Sequence, residues 1–208
     1  GKTVTLKVMA ESFSDGGVPV FLADVKGDLA GLCCQGTDSQ DMQDRIAQVG
    51  MESGEFAYKS YPVCFWDIFG EKGLPLRTTI SEMGPTLLAR LMDLTAVQED
   101  ILMVVFRIAD DEGLLLLDTK DLRAMLNYVG ENNKEYGARY GSLPRQSINS
   151  ILRGLAALEE QGADQFFGEP ALDIHDWFRT DYNGKGMVNV LHSESLINNP
   201  MMYSTFML

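Results

Sequence analysis

Apolar runs near both ends of the chain are separated by a long middle stretch patterned at a period of 3.6. From Thr3, the residues Leu6, Met9, Ala10 and Phe13 fall at helical spacing, and Gly16-Gly17 closes that helix as C-cap residues do. Val18 to Ala23 then runs without polar interruption, a length and β-branched content that predict a strand covered on both faces. Residues 35 to 60 are polar, glycine-bearing and weakly patterned, which predicts a loop with one short helix. Tyr61-Pro-Val-Cys-Phe-Trp66 predicts a second strand, and Gly70 with Gly73-Leu-Pro75 marks a turn after it.

Beyond residue 78 the pattern turns helical. Leu87, Leu88, Leu91, Met92 and Leu94 make one apolar face, and Ile101, Leu102, Val105, Phe106 and Ile108 make the next, ending near Asp110-Asp-Glu-Gly113. Leu114 to Leu117 is too short to classify by periodicity, but Asp118-Thr119 is a capping signal for a helix through Met125 and Leu126. Residues 130 to 143 read as a polar loop. Pro144 then sits at a helix start, and Ile148, Ile151, Leu152, Leu155 and Leu158 carry an amphipathic face to a stop at Gly162. Gly186 to Leu191 predicts a strand after the turn Asp181-Tyr-Asn-Gly184, and Asn199-Pro200 predicts a last helix through Met201, Met202, Tyr203 and Phe206. The reading is of an α/β protein with parallel strands near 18 to 24, 62 to 66 and 187 to 191. A helical insertion at 79–162 separates a first core segment, 1–78, from the return at 163–208, all within one domain.

Composition adds bounds. At 208 residues with 45% hydrophobic and 23% charged residues, the chain has the make-up of an ordinary soluble domain able to bury one core. A net charge of −13 argues against wholesale nonspecific binding to nucleic acid or anionic membrane, while leaving room for a local basic pore or groove. Cys33-Cys34 and Cys64 form no CxxC pair, so reduced thiols in a cytoplasmic protein are the expectation. No apolar run reaches the length of a membrane span, and no charged leader with a cleavage site begins the chain.

Candidate chemistry concentrates at the start. Gly1-Lys2-Thr3, opening a helix that leads to a buried strand, is what remains of a phosphate-binding loop, Gly-x4-Gly-Lys-Ser/Thr, once its front half is removed. The competing reading is a solvated terminal tripeptide. Asp24-Val-Lys-Gly-Asp28 follows the first strand, at the edge where open α/β sheets collect ligands, so Asp24, Lys26 and Asp28 are possible nucleotide-side residues; a polar turn with Gly27 in a left-handed conformation explains them equally. His175 and His192 lack zinc-ligand spacing and read as surface or satisfied residues. Asp110-Asp111 and Glu159-Glu160 read as solvated surface.

The wording of the chain resembles the HerA-like helicase family, in the HerA/FtsK branch of P-loop NTPases, and within it the group described as HerA-like C-terminal or ATP-binding proteins. The segments that carry it are Gly1-Lys2-Thr3-Val-Thr-Leu, Val18 to Asp28, Phe65 to Gly70, Thr79 to Pro85, Gly113 to Asp118, Lys120 to Met125 with Leu126, Gln161 to Leu172 and Val188 to Leu191, in order across the chain. The resemblance implies a partial RecA-like P-loop core in which Lys2 binds the β/γ phosphates of ATP, Thr3 ligates Mg²⁺ and Gly1 gives its backbone amide. It implies attack of water on the γ-phosphorus. It also implies a Walker B carboxylate beyond Leu208, a chain truncated at both ends, and an isolated fragment that binds ATP weakly without hydrolysing it. Partners implied are ATP, further copies in a homo-oligomeric ring, and DNA or a nuclease by family analogy, with no membrane.

Two functions from different classes therefore stand: a motor ATPase of helicase or DNA translocase type, and a nucleotide-dependent regulatory or scaffold protein whose helical insertion binds a protein partner.

Overall fold

Helix and strand signals at the start of the chain are realised in the computed structural model, which describes residues 1–51, 56–194, 196 and 203. Helix α1 is Lys2–Asp15, with Gly1 as N-cap and Gly16 as C-cap, and strand β1 is Val20–Asp24. The polar stretch holds the short helix α2, Gln40–Gln48, started by the Ser39 side chain accepting from the Met42 amide. Strand β2 is Val63–Asp67, β3 is the two-residue Leu74–Pro75, and the returning strand β4 is Val188–His192. The sheet order is β1-β4-β2-β3, and β1 runs parallel to β4 in the register Val20↔Val188 through Asp24↔His192. The helix expected over 201 to 206 lies outside the described residues, apart from Tyr203.

The chain divides into two compact units: residues 1–66, 72–74 and 173–194, and residues 67–71, 75–172 and 195–208. In the first, Ala10, Leu29, Leu32, Val188 and Val190 form the buried core, with Val20, Leu22, Val63 and Phe65 packed against it. Each of the fully buried leucine and valine side chains among them, Leu29, Leu32, Val188 and Val190, contributes about 1.5–3 kcal/mol. Polar anchors fix the register. The Ser14 hydroxyl, fully buried, donates to Gly186 O at 2.6 Å while the Gly186 amide donates to Ser14 O at 2.8 Å, tying the end of α1 to the entry of β4. Asn189, buried on β4, accepts from the Trp66 indole at 3.0 Å and donates to Trp177 O at 3.2 Å. At the C-terminal end of α1, Asp15 accepts from Tyr61 at 3.1 Å and pairs with Lys59 and Lys185, each at 3.3 Å. Burial works to raise the Asp15 pKa, but these three partners outweigh it and hold the carboxyl below its usual value. Burial, and then the bond to Asp15, push the Tyr61 hydroxyl up to about 12.

The first unit departs from the sequence expectation in two places. Val20 to Ala23 are half-buried, where coverage of both faces was expected. Along α1, Ala10 and Ser14 are buried, while Leu6, Met9 and Phe13 remain 45–49% exposed.

The second unit is helical, built from α3 (Ile80–Leu91), α4 (Ala96–Asp111), α5 (Thr119–Glu131), α6 (Asn133–Tyr140), α7 (Arg145–Glu160) and α8 (Ala163–Phe166). Three of its helices begin with capping boxes: Thr79 with Glu82, Thr95 with Gln98, and Asp118 with Asp121. Leu88, Leu102, Val105, Ile108, Leu122, Leu126, Ile148, Ile151 and Leu155 form its core, all essentially inaccessible. The family-like segment Ser81-Glu82 thus has a local role: Glu82 caps α3, and the Ser81 hydroxyl accepts from the Leu116 amide at 3.0 Å. Gly168-Glu169-Pro170 holds a cis Glu169–Pro170 bond, and Glu169 O accepts from Arg77 at 2.9 Å.

The polar loop expected at 130–143 is corrected: α5 reaches Glu131 and α6 occupies most of the remainder. Its helical face is hidden from a hydropathy pattern because Tyr136 alone is buried, its ring between those of Tyr128 and Tyr140 and its hydroxyl donating to Glu112. The acidic pairs lie at the surface as expected, with Asp110, Asp111 and Glu160 exposed and Glu159 half-buried, and two of the four carboxylates have named partners. Asp111 accepts from Tyr140 at 2.6 Å and from Arg107 at 3.2 Å, and Glu159 pairs with Arg123.

Glycine positions give a test. A Cβ on Gly186 would lie 2.1 Å from Val18 O, so Gly186→Ala forces the junction of α1, β1 and β4 apart; one on Gly137, inside α6, meets nothing within 4 Å. We expect Gly186→Ala to destabilise by about 1–3 kcal/mol, and Gly137→Ala to stabilise by about 0.5–1 kcal/mol. Urea unfolding of both variants checks this, and equal effects would contradict it.

Candidate functional site at the start of the first helix

A helix that begins without a side-chain cap leaves its first amides open. α1 does so: Gly1 is the N-cap, no side chain caps it, no acidic residue stands in the first turn, and the first helical bond is Thr5 N to Gly1 O at 3.2 Å. The amides of Lys2, Thr3 and Val4 therefore point out of the helix end, where the macrodipole favours an anion. Lys2 is exposed and makes no ion pair among the described residues; Thr3 is half-buried. An ammonium, a hydroxyl and open amides at one helix end have the donor chemistry of a phosphate and a hard, oxygen-seeking cation. By type, these groups fit the phosphates of ATP and a Mg²⁺ ion.

The residues after β1 behave differently. Asp24 is buried, and its carboxylate accepts from the amides of Lys26 at 3.2 Å, Gly27 at 2.9 Å and Leu29 at 2.9 Å. Gly27 has φ +75°, the left-handed conformation such a turn requires. Asp24 thus shapes its own turn, while Lys26 and Asp28 are exposed beside it. No hydrogen bond joins Gly1, Lys2 or Thr3 to these three among the described residues.

Sequence reasoning missed a cavity of about 370 Å³ at the carboxyl ends of the strands, lined by Asp24, Phe65, Lys72, Val190, His192 and Glu194 among others. Glu194 accepts from Lys72 at 3.0 Å and lies 3.4 Å from His192 Nε2; the bond from Lys72 is the main cause of its lowered pKa. His192 is a partnered residue, as expected, and its alternation with Glu194 at the end of β4 was the available signal. His175 is exposed and bonds Asp173 at 2.7 Å. No group of three or more His, Cys, Asp or Glu side chains suited to a metal ion occurs among the described residues.

The profile of the family described as Helicase HerA-like C-terminal matches residues 1–208. The chain belongs to that family, and is thereby related to HerA-like helicases. Comparisons with curated proteins and with solved structures give no match. No helix among the described residues is long and apolar enough to cross a membrane.

The two kinds of site residue separate experimentally. Lys2→Ala should change stability by no more than about 0.5 kcal/mol, as for an exposed side chain that makes no ion pair among the described residues. Asp24→Ala leaves three amides short of an acceptor and should cost about 1–3 kcal/mol. Thermal unfolding of both variants checks this; a destabilised Lys2→Ala would show that Lys2 is a structural residue.

Proposed function

We propose that the chain supplies part of the phosphate site of an ATP-binding and hydrolysing P-loop motor ATPase of HerA-like helicase or DNA translocase type, built on a RecA-like core. The observation that carries this reading is the uncapped start of α1 at Gly1-Lys2-Thr3, in a chain whose whole length matches the HerA-like C-terminal family. In it, the Lys2 ammonium reaches the β/γ oxygens, the Gly1 amide donates to phosphate, and the Thr3 hydroxyl holds Mg²⁺. Bound there, Mg²⁺-ATP supplies the transferable γ-phosphoryl group. Lys2 and the first-turn amides then act by charge, placed where negative charge gathers on the phosphoryl oxygens as water attacks.

Association into a homo-oligomeric ring and action on DNA, with or without a nuclease partner, extend the proposal by family analogy. With a net charge of −13, any DNA contact has to use a local basic surface. A cytoplasmic location accords with three free cysteines.

A second reading, a nucleotide-dependent scaffold, draws support from the helical unit, where Leu114, Leu115 and Tyr128 stand exposed along an apolar groove of about 320 Å³. DNA-stimulated turnover separates the two. In the protein that carries this chain, Lys2→Ala should lower ATP turnover by about 100-fold or more. Undiminished phosphate release by that variant would refute the assignment.

A further inference from the structure

The adjacent cysteines take no part in the nucleotide reading, and their geometry gives them chemistry of their own. After β1 the chain makes one 3₁₀ turn, Ala30–Cys33, anchored by Leu32 in the sheet core. Cys34 leaves that turn in extended geometry, at φ −105° and ψ 139°. Neighbours within a strand point to opposite faces. Here the change of conformation between them brings the two Sγ atoms to 3.6 Å, with both residues exposed.

That separation suits a bridging atom better than a direct bond. With bonds of about 2.3 Å from sulfur to a soft pyramidal or tetrahedral centre, the two sulfurs stand roughly 3.4–3.8 Å apart, whereas a disulfide needs its sulfurs at about 2.05 Å. No third side chain completes a metal-holding group among the described residues, so the captured species must be one whose free valences two sulfurs fill. A trivalent arsenical bearing one organic substituent meets that condition. Cys34 also lines a cavity of about 490 Å³ walled by Phe56, Tyr58 and Tyr61, with the Phe56 and Tyr58 rings edge to face at 5.0 Å, and an aryl substituent fits such walls.

We propose that Cys33 and Cys34 form a bidentate dithiol site for a monosubstituted trivalent arsenical, its organic group seated against Phe56 and Tyr58. The step balances without an oxidant. Two arsenic–sulfur bonds form, the arsenic–oxygen double bond breaks, and the oxygen leaves as water carrying both thiol protons.

Phenylarsine oxide at one equivalent on the full chain, followed by intact mass and thiol titration, tests this. The expected result is one adduct, equal in mass to the reagent less one water, with two thiols lost, and reversal by a dithiol but not by the same concentration of monothiol. Cys33→Ser and Cys34→Ser, both at exposed positions, should each lose the stable adduct, and Cys64→Ser should keep it. No adduct on the native chain, an adduct surviving in either single variant, or its loss in Cys64→Ser overturns the site. Phe56→Ala should release the phenyl compound about 2- to 10-fold faster while leaving a methyl arsenical unaffected; equal release of both compounds overturns the seating of the ring.

Discussion

The parallel pairing of β1 with β4 is the constraint on which the first unit depends. It joins residues from near the two ends of the described chain in five consecutive register pairs. Such pairing is expensive to form, because the intervening chain must be ordered or looped out before the contacts repay the cost. Side chains lock it into place. Ser14 and Gly186 exchange hydrogen bonds at the entry, Asn189 binds Trp66 and Trp177 in the middle, and the Asp24 carbonyl accepts from the Ser193 amide at 2.8 Å beyond the far end. A one-residue slip would break each of these and turn Val188 and Val190 away from Ala10, Leu29 and Leu32.

The placement of α1 follows from that pairing. Its C-terminal end is fixed to β4 through Ser14 and to Lys59, Tyr61 and Lys185 through Asp15, so its N-terminal end is held by the rigidity of the helix between. A helix anchored at one end and uncapped at the other presents its open amides at a defined point, which an anion site needs in order to be preorganised. Asp24 shows the opposite economy. Its carboxylate is consumed by three amides of its own turn, so it builds the sheet edge and leaves any ligand to other groups.

Much of this fold was legible because its signals are local. Gly16-Gly17 after a helical spacing, the apolar run into Asp24, and Asp118-Thr119 before Met125 and Leu126 each specify an element through backbone geometry or a short-range hydrogen bond. What was illegible depends on distant partners or on unusual anchoring. α6 docks through one tyrosine, too little for a periodic signal, and the Lys72–Glu194 pair spans the whole helical insertion, so no spacing rule could bring the two together. Of the candidate site, the tripeptide Gly1-Lys2-Thr3 was visible through its residue types, and the turn at Asp24 through Gly27. The cavity at the strand ends was not, since it exists only once β4 lies beside β1.

The central claim is that the open first turn of α1 receives nucleotide phosphate. Hydrogen exchange at the amides of Lys2, Thr3 and Val4, in the protein that carries this chain, with and without Mg²⁺ and a non-hydrolysable ATP analogue, tests it most directly. The account predicts that these amides slow on binding, because each gains an acceptor it lacks in the free helix. Binding that protects other segments while leaving Lys2, Thr3 and Val4 unchanged would contradict it.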